Sequence, residues 1–180
     1  LLMCFLLLIA VPAEGCASRV AAPVDGRLIT TLPLHGFLYA SPSGAPPSTP
    51  QDALARYRAG GFERLPAYLG RGYRQENVWL GFDITLGPDA PEILIVDVGP
   101  AYLDEVRAYQ VDAAGVIKPL GRAGDQVPHE EIFIRGLRPA FAIRPALGST
   151  VLLDIRSTST QAAIVKLHAG ARYPALQATE

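Results

Sequence analysis

An alternation of apolar and other residues over positions 78–86 constrains the fold of this chain more than any other feature. One face of the segment carries Val78, Leu80, Phe82, Ile84 and Leu86. The opposite face carries Trp79, Gly81, Asp83 and Thr85. A period of two is typical of a β-strand that buries one face, so the segment predicts a strand packed against a second layer.

Short strands separated by turn signals are predicted along the rest of the chain. The predicted strands cover residues 36–40, 78–86, 93–98, 105–111, 116–118, 132–134, 140–144, 150–156 and 162–168. One short helix is predicted over residues 52–59, with Pro50 in its first turn and Gly60-Gly61 after its end. No long helical segment separates the strands, which argues against a parallel α/β sheet. We therefore predict an all-β antiparallel sandwich of about eight strands with a short N-terminal helix.

An uninterrupted apolar run over residues 1–11 predicts a targeting segment. It is too short for a bilayer span, which needs about 20 residues, and its length fits the apolar region of a secretory signal. The sequence predicts a signal peptide without its charged n-region at 1–17 and an N-terminal segment with one strand and a proline-rich stretch at 18–50. The sandwich domain follows at 51–170, and the start of a linker at 171–180. Cys16 as a lipidated N-terminus stays an alternative.

Charge and cysteine content exclude several classes of function. The chain has 16 Lys and Arg against 17 Asp and Glu, which argues against a nucleic-acid binder that relies on positive charge. Its 49% hydrophobic content argues against a disordered chain. Both cysteines, Cys4 and Cys16, lie in the predicted signal peptide. Neither a disulfide scaffold nor a four-thiolate zinc site is therefore expected.

The sequence contains no arrangement of residues typical of catalysis or metal binding. His35, His129 and His168 lie far apart without metal-ligand spacing, and no Gly-x-Ser-x-Gly motif occurs. Asp104 and Glu105 are adjacent at the start of a predicted strand, so their side chains should point to opposite faces and should not flank one glycosidic bond. We predict a chain without enzymatic activity, catalytic residues, metal or cofactor.

Aromatic residues and arginines outside the predicted core are the candidates for ligand binding. Trp79 either lies under the N-terminal helix or the segment 62–65, or presents an exposed indole on which a sugar ring stacks. The weaker aromatic candidates are Tyr68, Tyr73, Tyr102 and Tyr109. Arg135 and Arg138 either bind a carboxylate or sulfate or hold their loop through a salt bridge. The predicted ligand-binding residues are Trp79, Tyr102, Asp104, Tyr109, Arg135 and Arg138.

Several motifs, taken in order, resemble one family. They are Tyr39-Ala40-Ser41-Pro42-Ser43-Gly44, Leu69-Gly70, Val78-Trp79-Leu80-Gly81-Phe82, Leu103-Asp104-Glu105-Val106-Arg107-Ala108-Tyr109, Gly124-Asp125-Gln126-Val127-Pro128 and Thr150-Val151-Leu152-Leu153-Asp154-Ile155. The chain from about residue 36 to 170 resembles the type 2 extracellular sensor domain of bacterial seven-transmembrane receptors with diverse intracellular signalling modules, the DISM receptors. Two residues depart from the family pattern: Gly81 stands where Arg is usual, and Ser41 stands where Asp is usual.

The resemblance implies a jelly-roll β-sandwich similar to carbohydrate-binding modules. It also implies a periplasmic position at the bacterial inner membrane, ahead of seven transmembrane helices and a cytoplasmic diguanylate cyclase or histidine kinase. We therefore expect a ligand-sensing domain that binds a saccharide or another small polar molecule and passes the signal through the membrane. The alternatives are a secreted or lipid-anchored carbohydrate-binding or adhesion module, and a protein-interaction domain. No nucleic-acid partner is expected, and a homodimer stays open.

Overall fold

A computed structural model describes residues 19–27 and 31–178, and the predicted signal peptide lies outside them. The strands in the described residues are β1 (Ala22–Val24), β2 (Thr31–Pro33), β3 (Tyr39–Ala40), β4 (Glu63–Arg64), β5 (Leu69–Tyr73), β6 (Val78–Leu86), β7 (Leu94–Gly99), β8 (Glu105–Val111), β9 (Ile117–Ala123), β10 (Ala140–Ile143), β11 (Thr150–Arg156) and β12 (Thr160–Ala169). The helices are α1 (Pro50–Arg58) and α2 (Tyr173–Gln177), with short 3-10 turns at His129–Glu131, Pro145–Leu147 and Gly170–Arg172. Within these described residues, no helix has the length and apolar character needed to cross a membrane.

The strands form two sheets with the strand order of a jelly roll. The larger sheet contains the order β6-β11-β8-β9, and the second sheet contains the order β5-β12-β7-β10. Short strands extend the larger sheet beyond β6, where β1 pairs in parallel and β3 and β4 pair antiparallel. Strand β2 pairs with β12 beside β5. The long strands thus alternate between two four-stranded layers as in an eight-stranded jelly roll, which confirms the expected fold.

The core lies between the two sheets and is built by the side chains that the alternation places inward. Four side chains of β6 are buried in it: Val78, Leu80, Phe82 and Ile84. The second sheet contributes to the same cluster Leu94, Val96, Val98, Ala163, Val165 and Leu167. Leu86, the last apolar residue of the β6 pattern, is 40% exposed because it lies at the strand end. Burial of one apolar face on each sheet holds the two layers together.

Helix α1 covers part of the outer face of the larger sheet. The Thr49 hydroxyl accepts a hydrogen bond from the Asp52 backbone N–H at 3.1 Å, and Pro50 occupies the first turn. Both features are common at the start of a helix because they satisfy or remove free backbone N–H groups. The side chains that the helix buries are Ala53, Leu54 and Tyr57. The helix predicted over residues 52–59 is therefore confirmed to within two residues at each end.

Most of the predicted strands are confirmed, and the differences lie where the alternation is short or interrupted. Residues 132–134 do not form a strand: Ile132 and Ile134 are half-buried, whereas Phe133 between them is 85% exposed. Residues 69–73 form β5 although two glycines interrupt any pattern there. One strand was expected before α1, and the structure has three, which pair with β6 and β12.

Candidate ligand-binding groove

A polar groove opens at the end of the sandwich where β6 and β8 begin and β11 ends. Strand register brings these segments together, because Ile155 pairs with Val78 on one side of β11 and Arg156 pairs with Glu105 on the other. The groove has a volume of about 750 Å³. Its lining residues are Gln75, Glu76, Asn77, Asp104, Glu105, Arg122, Gln126, Val127, Arg156, Ser157 and Thr158. All of them except Val127 are polar or charged.

Asp104 fixes two walls of the groove to each other. It is 8% exposed, and its carboxylate accepts a hydrogen bond from the Thr158 backbone N–H at 2.8 Å. Its carbonyl oxygen accepts a second hydrogen bond from the Gln126 backbone N–H at 3.1 Å. Asp104 and Glu105 do not lie on opposite faces of one strand, as the sequence predicts, because β8 begins at Glu105 and Asp104 lies in the bend before it. Both residues therefore line the groove.

An ion-pair network stiffens one wall of the groove. Glu105 accepts hydrogen bonds from Arg107 at 2.9 Å and from Arg122 at 3.3 Å. Arg122 also donates to Glu131 at 2.6 Å. Burial by itself raises the pKa of Glu105, but the hydrogen bonds from the two arginines outweigh it and bring the pKa below its ordinary value. Glu105 is therefore ionised and held in place at neutral pH.

Several amide side chains of the groove have hydrogen-bonding groups to offer a ligand. Among the described residues, the side chains of Gln75 and Gln126 form no hydrogen bond. Asn77 donates from Nδ2 to Asp154 at 2.6 Å, which leaves its side-chain oxygen as an acceptor. An amide presents both donors and an acceptor. Such groups suit a small molecule that carries several hydroxyl groups.

Replacing Asp154 by asparagine is expected to raise the melting temperature at neutral pH. Asp154 is 3% exposed, and burial raises the pKa of its carboxyl although Asn77, Arg156 and Arg107 act in the opposite direction. A buried acid with a raised pKa costs stability above that pKa, and the cost disappears as the pH falls below the ordinary value of about 4. Asp154→Asn should therefore melt higher than the wild type at pH 7 and alike at low pH.

Differential scanning calorimetry across this pH range measures the effect. Asp154→Ala is the matched control: it removes the charge and also the acceptor of the Asn77 amide, so we expect it to melt lower than the asparagine variant. A lower melting temperature of Asp154→Asn than of the wild type at pH 7 would contradict the prediction.

Trp79 lies under cover on the outer face of the larger sheet. It is 1% exposed, its indole N–H donates to the Pro47 carbonyl at 2.8 Å, and its ring stacks on Tyr109 with 5.7 Å between centroids. Helix α1 and Phe62 belong to the same buried cluster. Of the two alternatives for Trp79, the structure therefore shows the covered one. The indole is inaccessible to a sugar ring.

The two departures from the family pattern have local explanations. Ser41 is fully buried, and its hydroxyl accepts a hydrogen bond from the Trp79 backbone N–H at 3.1 Å. A Cβ atom on Gly81 would lie 2.6 Å from ring atoms of Tyr57, so a larger residue at Gly81 has no space. The Tyr57 hydroxyl donates to Asp83 at 3.1 Å. Tyr57 thus holds α1 on the sheet and occupies the space beside Gly81, the position where the family pattern has arginine.

The structure does not bring the six predicted site residues together. Asp104 lines the groove, whereas Tyr102 is 46% exposed and does not line it. Arg138 donates to the buried Asp97 through Nε at 2.9 Å and Nη2 at 3.2 Å, which is the loop-holding alternative. Arg135 is exposed in the same loop. The aromatic pair of Trp79 and Tyr109 lies on the outer face near α1.

The sequence did not single out most of the groove residues. Those with the clearest capacity to contact a ligand are Gln75, Asn77, Gln126 and Arg156. Their position along the chain is the one sequence feature that could have indicated them. Each lies at or beyond the end of a strand, and loops at strand ends commonly carry function. In the part of the chain that the structure describes, no three His, Cys, Asp or Glu side chains are placed to hold a metal ion.

The strand order defines the class of this protein, a jelly-roll β-sandwich domain. Residues 46–169 match the family described as 7TMR-DISM extracellular 2, and the chain belongs to that family. It is accordingly an extracellular sensor domain of a seven-transmembrane receptor and lies on the periplasmic side of the membrane. Comparisons with curated proteins and with solved structures give no match.

Proposed function

We propose that this chain is the non-catalytic, ligand-sensing part of its receptor and that a saccharide or another small polar molecule binds in the groove. The groove of about 750 Å³ at the end of the sandwich is the observation that carries the proposal. Its volume lies in the range of small-molecule sites, about 300–1,000 Å³. Its amides and charged walls offer directional contacts, which fit a ligand rich in hydroxyl groups.

An exposed aromatic side chain at the same end of the sandwich adds a stacking surface. Tyr73 is 80% exposed, ends β5 and pairs with Thr160 at the start of β12. Thr160 follows the groove residue Thr158 by two positions. An exposed tyrosine offers an apolar ring face together with a polar hydroxyl, and a sugar ring has an apolar face and polar edges. Tyr73 does not line the groove itself, so it supports the saccharide assignment for a ligand that extends beyond the groove towards β5.

Strand β12 joins the groove to the C-terminal part of the described chain. It starts two residues after Thr158 and leads directly into the last 3-10 turn and α2. Helix α2 docks on the second sheet through Tyr173, whose hydroxyl donates to the buried Asp97 at 3.2 Å. A ligand that reshapes the turn before β12 acts on the strand that leads to residues 171–180, which we propose as the linker towards the membrane region.

Replacing Gln75 and Gln126 together by alanine is expected to weaken ligand binding at least about tenfold, because each amide supplies hydrogen bonds to the ligand. Both side chains are exposed and form no hydrogen bond among the described residues, so the free chain should keep its stability. A thermal-shift screen of saccharides and small polar metabolites on the purified chain identifies ligands, and calorimetric titration measures their affinities.

Gln51→Ala is the matched control for the groove variant. Gln51 is an exposed glutamine on α1 and does not line the groove, so its replacement should leave the affinity unchanged. A ligand that binds the wild type and the double groove variant equally well would place the binding site elsewhere on the chain.

A second candidate function, binding of a partner protein, is favoured by two exposed apolar side chains on one loop. Phe133 is 85% exposed and Leu137 is 73% exposed. Interaction surfaces commonly expose large apolar side chains, and these two lie four residues apart in one loop. A screen that yields no groove ligand, together with a complex that Phe133→Ser disrupts, would favour this candidate over ligand sensing.

A further inference from the structure

Arg156 is a guanidinium in the groove wall whose ionic partner, Asp154, lies too far away for a hydrogen bond. Its side chain is 52% exposed, and its Nη2 lies 3.8 Å from Oδ2 of Asp154, beyond hydrogen-bonding distance. Asp154 accepts its hydrogen bond from Asn77 through the other oxygen, at 2.6 Å. Among the described residues, Arg156 donates no hydrogen bond. Its five N–H donors therefore remain for a ligand.

The other charged groups of the groove already have partners. Arg122 donates to Glu131 at 2.6 Å and to Glu105 at 3.3 Å. The Glu76 carboxylate accepts a hydrogen bond from the Gly44 backbone N–H at 3.1 Å. These contacts neutralise or solvate the charges within the protein. They leave Arg156 as the charged side chain of the described groove with the most unused capacity.

A second arginine borders the same region. Arg74 lines a depression of about 470 Å³ that shares Gln75 and Glu76 with the groove. It is exposed and forms no hydrogen bond among the described residues. Arg156 thus lies in the groove and Arg74 in the depression, with the Glu76 carboxylate on the wall between them. A ligand longer than one sugar ring can reach both guanidinium groups if its carboxylates stay clear of Glu76.

We propose that the groove selects an anionic saccharide, in which a carboxylate pairs with Arg156 while hydroxyl groups bond to the amides. This inference rests on the proposed function and names the class of ligand. A guanidinium matches a carboxylate with two parallel N–H···O bonds, which are stronger than hydrogen bonds between neutral groups. A neutral saccharide of the same size leaves Arg156 with only its distant ion pair to Asp154 and should bind more weakly.

Trigalacturonate and its fully methyl-esterified form provide the first test pair, since esterification removes the charge and keeps the hydroxyl groups. Isothermal titration calorimetry on the purified chain should show the acid binding about tenfold to hundredfold more tightly than the ester. Arg156→Gln should reduce the affinity for the acid to that for the ester. Arg172→Gln removes an exposed arginine outside the groove and should leave the affinity unchanged.

Each further result supports or overturns the inference. Equal affinity for acid and ester in the wild type, which requires no variant to fold, would overturn it and leave saccharide sensing intact. An unchanged affinity for the acid in Arg156→Gln would do the same. Acetate at the same carboxylate concentration should not compete, and competition as strong as that of trigalacturonate would overturn the saccharide part. If no member of a panel of paired acidic and neutral saccharides binds, saccharide sensing itself fails, and the inference with it.

Discussion

Replacing Trp79 by alanine is expected to lower the free energy of unfolding by about 3–5 kcal/mol, the cost of deleting a large buried aromatic side chain. Trp79 is 1% exposed and belongs to the cluster between α1 and the larger sheet. The substitution removes the stacking on Tyr109 and the N–H donor of the Pro47 carbonyl. It also opens a cavity beneath α1, so the helix loses part of the surface on which it packs.

Chemical denaturation followed by far-UV circular dichroism measures this loss, because the chain has a single tryptophan and the variant has no indole fluorescence. Trp79→Phe is the matched control. It keeps an aromatic ring beside Tyr109 and loses only the N–H bond to Pro47 and some volume, so we expect a loss of about 1–2 kcal/mol. A Trp79→Ala chain as stable as the wild type but unable to bind a saccharide would contradict the buried position and favour an exposed platform.

The strands that the sequence predicts well are those with one face almost entirely buried in the core. Strands β6, β8 and β11 have the predicted bounds 78–86, 105–111 and 150–156, because their inward side chains alternate in the sequence as they do in the core. Strand β5 gives no such signal, since Leu69 is its only buried residue. The apolar run at 132–134 is the opposite case, a strand signal where no strand forms. It lies in a loop and has no strand partner in the described sheets.

The groove could not be predicted in the same way, because it depends on which strands pair. Residues 75–77 and 156–158 are far apart in the chain and become neighbours because β6 pairs antiparallel with β11. A period of two indicates a strand but does not identify its partner. Asp104 is the predicted site residue that lines the groove, and the reason lies in its position in the bend before β8. Whether Trp79 is covered or exposed could not be predicted from its own strand, because the residues that cover it belong to α1 and the proline-rich stretch.

Replacing Asp97 by alanine is expected to lower the free energy of unfolding by about 3 kcal/mol, at the lower end of the cost of breaking a buried ion pair. Asp97 is 1% exposed, and its carboxylate accepts hydrogen bonds from Arg138 at 2.9 and 3.2 Å and from Tyr173 at 3.2 Å. The lower end applies because the Arg138 side chain is 27% exposed and regains some hydration. Urea denaturation followed by circular dichroism measures the loss.

Tyr173→Phe separates the anchoring of α2 from the loss of the ion pair. It removes the hydroxyl bond to Asp97 and keeps the ring packed near Ile95 and Ala140, so a loss of about 1 kcal/mol is expected. Amide hydrogen exchange over residues 170–177 should accelerate strongly in Asp97→Ala and slightly in Tyr173→Phe. Because β12 joins the groove to this segment, a groove ligand should slow exchange there in the wild type but not in Asp97→Ala. Equal ligand protection in both chains would show that α2 does not take part in passing the signal.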